Sequence, residues 1–271
     1  MTSDQSLPNL LHSGTPIIMG IVNITPDSFY DGGYSLQALD QQLFDFDAAN
    51  VDIIDLGAES SRPGSKPISA TEEISRLTPA LSKIKNKSNA FISIDTYKPE
   101  TAAFALSNGA DLINDITGGE SQDLLNVVAE HNAGIILMHK QGTPESMQNT
   151  PKYKDVVLEI KDYLARQIER ATSAGVSTIA IDPGIGFGKS LDHNLTILKQ
   201  LDEFKSLGCP ILIGTSNKSF IGHLTGAGIN DRIPGSIASA LSAYEKGARI
   251  FRVHNVKETR QALTIYEAIN E

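Results

Sequence analysis

What most constrains the fold of this chain is a repeated grammar. Eight short apolar runs, each ending at or just before a polar side chain, alternate with amphipathic stretches along 271 residues. The runs fall near 17–22, 51–56, 91–94, 111–114, 134–138, 178–181, 210–213 and 249–253. Near-continuous β-branched runs of this kind read as strands buried on both faces, as in a parallel sheet covered by helices. Helical patterns fill the gaps, among them Leu36 to Asn50, Thr71 to Lys85, Pro99 to Asn108, Val156 to Ala174 and Ile237 to Lys246. Pro99 suits a first helical turn, where its missing N–H is not needed. Gly109, Gly134, Gly175, Gly208 and Gly247 stand between a helical pattern and the next run, the usual place for a left-handed helix terminator.

Eight strand–helix units in a chain of this size match a single (β/α)8 TIM barrel, an α/β fold whose active site lies at the C-terminal ends of the strands. A doubly wound open sheet is the rival, and periodicity does not separate the two. No linker or low-complexity tract divides the chain, so residues 15–271 read as one domain and residues 1–14 as a flexible arm. The net charge of −9 argues against a nucleic-acid or anionic-membrane partner, either of which needs a basic face. Cys209 is the only cysteine, which excludes an intramolecular disulfide and favours a reducing compartment. The first residues lack a basic segment and an apolar core, and no stretch approaches a membrane span. A cytoplasmic location is expected.

The strand ends carry the chemistry: Asn23; Asp55 with Glu59; Asp95; Asn114 with Asp115; His139; Asp182; Lys218; and Arg252 with His254. Any one of these polar residues is ordinary loop chemistry, but together they point to one shared site. Asp95, Asn114 and Asp182 offer the acceptors and donors that a flat heterocycle with amino and lactam edges requires. Lys218, Arg252 and His254 supply positive charge for phosphate. Asn23 offers a neutral oxygen suited to Mg²⁺ held mainly by phosphate and water. The run Pro183–Ser190 looks like a phosphate loop, but a proline stands at its first glycine position, so an ATPase reading is rejected. The histidines show no metal-ligand spacing, and there is no Gly-x-Ser-x-Gly nucleophile turn.

Seven motifs in order resemble the dihydropteroate synthase family of pterin-binding barrels. They are Asn23-Ile-Thr-Pro-Asp-Ser-Phe with Asp31-Gly-Gly33, Gly57-Ala-Glu-Ser-Ser-Arg-Pro-Gly64, Ser93-Ile-Asp-Thr96, Asn114-Asp-Ile-Thr-Gly118, Met138-His139, Asp182-Pro-Gly-Ile-Gly-Phe-Gly-Lys189 and Arg252-Val-His254. The resemblance runs from about Ile17 to the last helix. It implies a transferase of folate biosynthesis that joins (7,8-dihydropterin-6-yl)methyl diphosphate to 4-aminobenzoate, giving 7,8-dihydropteroate and diphosphate. By similarity Asp95, Asn114, Asp182 and Lys218 hold the pterin, with Met138 in the pocket, and Asn23, Arg252 and His254 hold the diphosphate and Mg²⁺. Loops around Thr25, Asp27 and Phe29 and around Ser61, Arg62 and Pro63 would close over the site. Ser61, Ser216 and Phe187 contact substrate, and Arg62 joins Asp95, Lys218 and Arg252 among the catalytic groups. The resemblance also implies a homodimer and sensitivity to sulfonamides.

This chemistry needs no nucleophilic side chain. Diphosphate departs once its charge is neutralised, the pterin ring delocalises the cation left behind, and the arylamine attacks it. The chain departs from the family pattern at Asn217 and Asn255, where Arg and Asp are common, at Lys140 for a usual Met, and at Tyr30 for a small Ser. These departures keep two alternatives open: a pterin-binding paralogue without synthase activity, and a folate-dependent methyltransferase of the same barrel group.

Overall fold

Every apolar run becomes a strand in the computed structural model, which describes residues 6–24, 36–60, 65–142 and 151–270. The strands are β1 (Ile17–Asn23), β2 (Ile53–Gly57), β3 (Phe91–Asp95), β4 (Leu112–Asp115), β5 (Gly134–Met138), β6 (Thr178–Asp182), β7 (Ile211–Ile213) and β8 (Ala248–Val253). They pair in sequence order and β8 returns to β1, so the parallel sheet closes into a barrel. Closure removes both sheet edges and decides against the open doubly wound sheet.

Strand alternation sorts the side chains into two separate cores. One face of each strand joins an outer annulus against the helices, with Ile18, Ile54, Ile94, Ile113, Ile135, Ile181, Ile213 and Phe251 all but fully buried. The other face fills the barrel with Ile17, Met19, Ile53, Leu112, Ile136, Ala180, Leu212 and Ile250. The period of two is the physical reason that one continuous run serves both cores.

The helices keep the positions read from the sequence, with shifted ends. Leu36–Ala48, Ala70–Lys87, Pro99–Ser107 and Val156–Ser173 are observed. Pro99 takes the first turn as expected, and Asp155 caps Val156–Ser173 by accepting from the N–H groups of Val157 and Leu158. Ile233–Glu245 starts four residues before the expected Ile237, because Pro234 fits the first turn instead of blocking it.

Two expectations are corrected. Gly134 does not terminate a helix; it begins β5, and Asn132 takes the left-handed conformation instead, at φ 54°. A Cβ on Gly134 would lie 2.7 Å from Leu112 Cδ1 and 2.9 Å from Leu7 Cδ2, so its task is close packing. That contact also corrects the loose arm. Residues Leu7–Leu11 form a short helix capped by Ser6, and Leu7 and Leu11 join the inner core as its floor. Residues 1–5 lie outside the described residues.

Candidate active site

The floor is apolar, and the opposite end of the barrel is polar. Parallel register sets four residues side by side across β1 to β4: Asn23 pairs with Gly57, Gly57 with Asp95, and Asp95 with Asn114. Gly57 leaves a gap in this row. A Cβ there would sit 3.4 Å from Asp95 Cβ and 3.5 Å from Asn23 Oδ1, so those two side chains face each other over a position with none of its own. On the far wall Met138 pairs with Asp182, and both are buried.

One layer below the row lies an ionic cluster. Arg252 donates from Nε to Asp55 Oδ2 at 2.6 Å and from Nη2 to Asp95 Oδ2 at 2.8 Å. Asp55 is fully buried and also accepts from Ser93 Oγ at 2.7 Å and Asn114 Nδ2 at 3.2 Å. Burial raises the pKa of Asp95, against the lowering effect of Arg252, and the nearby Asp55 charge raises it further. Burial also raises the Asp182 carboxyl, opposed by the Gly184 N–H that donates to Oδ1 at 2.7 Å and by Lys218. Lys218 is pulled down to about 8 by burial and by Arg252, with Asp182 and Asp95 holding it up. Its ammonium lies 4.2 Å from the centre of the Phe187 ring, a cation–π contact.

The loop after β6 is held tightly. Gly184 has φ 72°, and a Cβ there would fall 1.9 Å from the His139 carbonyl oxygen. Lys189 is buried and reaches His139 Nδ1 at 3.0 Å, the His139 carbonyl at 3.2 Å and the Phe187 carbonyl at 3.0 Å. Burial and Lys189 push the His139 pKa down to about 3, which keeps the ring neutral and able to accept from the ammonium. At the rim, Ser216 Oγ and His254 Nδ1 lie 3.1 Å apart.

A family profile described as pterin binding enzyme matches residues 19–254. The dihydropteroate synthase of Escherichia coli (strain K12) is 42% identical over 257 residues, covering 93% of this chain and 91% of that protein. The chain belongs to the dihydropteroate synthase family. A Yersinia pestis dihydropteroate synthase solved with a sulfonamide drug complex superposes with a TM-score of 0.90 at 38% identity, covering 94% of each chain. The Thermus thermophilus enzyme in complex with 4-aminobenzoate gives 0.84 at 40% identity, over 94% of this chain and 95% of that one. The same enzyme in complex with 6HMPPP gives 0.82 at 38% identity, over 95% and 94%.

Set against this family, the structure brings Asn23, Asp95, Asn114, Met138, Asp182, Phe187, Lys218 and Arg252 to one end of the barrel, with Ser216 and His254 at its rim. Ser61, Arg62 and Pro63, and Thr25, Asp27, Phe29 and Tyr30, lie outside the described residues. Arg252, assigned by resemblance to the diphosphate, commits two of its nitrogens to Asp55 and Asp95. Asp115 turns away from the cluster and accepts from the N–H groups of Thr117 and Gly119, which shapes the loop after β4. Sequence reasoning gave no role to Asp55 or Lys189. Strand parity was the available signal for Asp55, which lies two residues before Gly57 and so shares its face. Lys189 stood in the glycine-rich motif after β6, but its task did not show there, because His139, whose carbonyl and ring nitrogen it meets, lies 50 positions away; its third partner is the nearby Phe187 carbonyl.

Among the departures, Asn217 adopts φ 58°, a left-handed conformation that Asn tolerates better than most side chains. Its N–H donates to Ser236 Oγ at 3.0 Å, and its carbonyl accepts from Arg232 at 3.0 Å. The Oδ1 atoms of Asn217 and Asn255 are buried without a partner among the described residues.

Proposed function

We propose that this chain is a working dihydropteroate synthase, transferring the dihydropterinylmethyl group from its diphosphate ester to the nitrogen of 4-aminobenzoate. The observation that carries the reading is the composition of the polar layer. Three carboxyl groups, the buried Asp55 and Asp182 and the nearly buried Asp95, lie together with Arg252 and Lys218, which sets acceptors and fixed charge where a cationic heterocycle would form.

In this reading Asp95, Asn114 and Asp182 bind the pterin edge, and Met138 and Phe187 supply apolar walls. The methylene carbon–oxygen bond breaks, and its electron pair leaves with diphosphate. Carboxylates already fixed in a water-poor layer stabilise the cation without reorganising. The arylamine lone pair then forms the new carbon–nitrogen bond, and the proton shed by that nitrogen passes to solvent. Lys218, His254 and the rim face of Arg252 take up the charge of the departing anion. Ser61, Ser216 and Arg62 are assigned to substrate by family resemblance alone.

Mg²⁺ fits the residues present. Asn23 offers a neutral amide oxygen at the barrel mouth beside Asp95, and the described residues hold no cluster of three or more His, Cys, Asp or Glu suited to a metal. One protein oxygen, with phosphate oxygens and water completing the shell, is a pattern Mg²⁺ accepts. When bound, the ion would neutralise diphosphate charge. A homodimer is likewise proposed, and sedimentation tests it. Among the described residues no helix is long and apolar enough to cross a membrane, and the single cysteine supports a cytoplasmic location.

The test is diphosphate release from dihydropterin-methyl diphosphate with Mg²⁺, in the presence and absence of 4-aminobenzoate. Release that depends on 4-aminobenzoate and yields dihydropteroate is the expected result. Tight pterin binding without product would overturn the synthase reading in favour of a non-synthetic paralogue.

A further inference from the structure

We propose that Asp55, beyond balancing charge, is a positioning residue that fixes the hydrogen-bond polarity of the pterin site by holding Asn114 and Arg252 at once. The inference rests on the proposed function for the identity of the ligand and on local geometry for the rest.

Asp55 is fully buried, one layer beneath the row of strand ends, paired in register with Ser93 on β3 and Ile21 on β1. Its two oxygens do different work. Oδ1 accepts from Ser93 Oγ at 2.7 Å, which fixes the carboxylate plane. Oδ2 accepts from both Arg252 Nε at 2.6 Å and Asn114 Nδ2 at 3.2 Å. A carboxamide is chemically two-faced, with a donor on one side and an acceptor on the other. The negative oxygen of Asp55 removes that ambiguity. Turning the Asn114 amide over would bring its carbonyl against Asp55 Oδ2, two acceptors in contact in a dry site.

One Nδ2 hydrogen is held by Asp55, so the amide cannot turn over, and Oδ1, which takes no hydrogen bond from the described residues, is presented to a ligand as an acceptor at a fixed place. A ligand N–H is what that oxygen can receive. The same Asp55 oxygen holds the guanidinium of Arg252, whose Nη2 then reaches Asp95. A single carboxylate that need never touch substrate thus orients an acceptor toward the heterocycle and a cation beside Asp95.

The test uses the full chain, with binding of 6-hydroxymethyl-7,8-dihydropterin measured by calorimetry and turnover measured separately. Asp55→Asn keeps the shape of the side chain but removes its negative charge, so the oxygen facing Arg252 and Asn114 becomes a weaker, neutral acceptor while the new NH2 faces Ser93 Oγ. Its expected effect is a rise in dissociation constant of about tenfold or more, the scale of one charge-assisted hydrogen bond. The KM for 4-aminobenzoate should stay within about twofold, because no contact to that ligand is removed. In an Asn114→Ala background the further loss from Asp55→Asn should be clearly smaller than in wild type, since the part acting through Asn114 has nothing left to orient and only the part acting through Arg252 remains. A purely structural role would give additive losses and overturn the proposal.

Should Asp55→Asn fail to fold, Asn114→Asp decides. It keeps an acceptor toward the ligand but sets a carboxylate against Asp55. Binding should fall below that of Asn114→Ala, and wild-type affinity would refute the inference. Wild-type protein without turnover would sink the synthase reading. Wild-type turnover with an unaltered Asp55→Asn variant would sink this inference alone.

Discussion

Replacing Arg252 with methionine keeps most of the side-chain volume and removes the cation that bridges two carboxylates of the polar layer. Asp55 is fully buried and the Asp95 side chain is 10% exposed, so neither can recover its hydration by a small movement. Unit charges about 4 Å apart attract by about 4 kcal/mol at an effective dielectric near 20. Removing one partner of a buried pair costs about 3–5 kcal/mol. The expected loss of unfolding free energy is therefore about 4 kcal/mol near pH 8, large beside the ~5–15 kcal/mol that stabilises a typical domain.

The loss should depend on pH in a definite direction. Burial raises the Asp95 carboxyl, and without the guanidinium that opposes this, Asp95 binds protons still more tightly in the folded than in the unfolded chain. Its part of the penalty is complete above the raised folded value, and it fades as the pH falls below the unfolded carboxylate range. Urea midpoints near pH 8 and near pH 5 would measure it, with the slope checked against wild type. Asp55→Asn combined with Arg252→Met should be more stable near pH 8 than Arg252→Met alone. A loss under about 1 kcal/mol, or one equal at both pH values, would refute the view that two charges depend on this guanidinium.

Three further outcomes are expected. kcat/KM should fall through about pH 8 as Lys218 loses its proton, and on the acid side it should fail above the usual carboxylate range because burial raises Asp95; profiles of wild type and Asp95→Asn would check both limbs, and Asp95→Asn should lack the second. Gly184→Ala should lower kcat/KM by at least about tenfold with little change in circular dichroism, since the methyl group would drive the loop after β6, whose Gly184 N–H holds the Asp182 carboxylate, off the His139 carbonyl. Leu11→Ala should cost about 2–4 kcal/mol in urea unfolding while leaving the KM values unchanged, because Leu11 seals the barrel floor at the end opposite the site.

The eight strands were legible because a strand buried on both faces must be apolar along its length, and few other arrangements tolerate eight such runs. Closure was not legible, since the pairing of β8 with β1 is a long-range fact that no local period encodes. The arm was misread for a related reason. Leu7 and Leu11 lie too close to the terminus to form a convincing pattern, and their partner Leu112 is far along the chain. Gly134 could be read as a terminator or as a packing glycine, and its immediate neighbours did not separate the two. In the site, residues at strand tips announced themselves as polar breaks after apolar runs. Asp55 was visible as such a break, but its task depends on Arg252, 197 positions later. Lys189 looked like the tail of a glycine-rich loop, and only the folded chain shows its ammonium stitching that loop to the residue after β5.

The row Asn23, Gly57, Asp95 and Asn114 has a consequence for what can be changed. Neighbouring strands in any sheet stand about 4.8 Å apart, a spacing set by backbone hydrogen bonds that no side-chain substitution alters. The row therefore acts as a ruler with fixed graduations and one blank mark at Gly57, against which a rigid flat ligand at the strand ends is measured. Selectivity for the fused ring belongs to the main chain of the barrel.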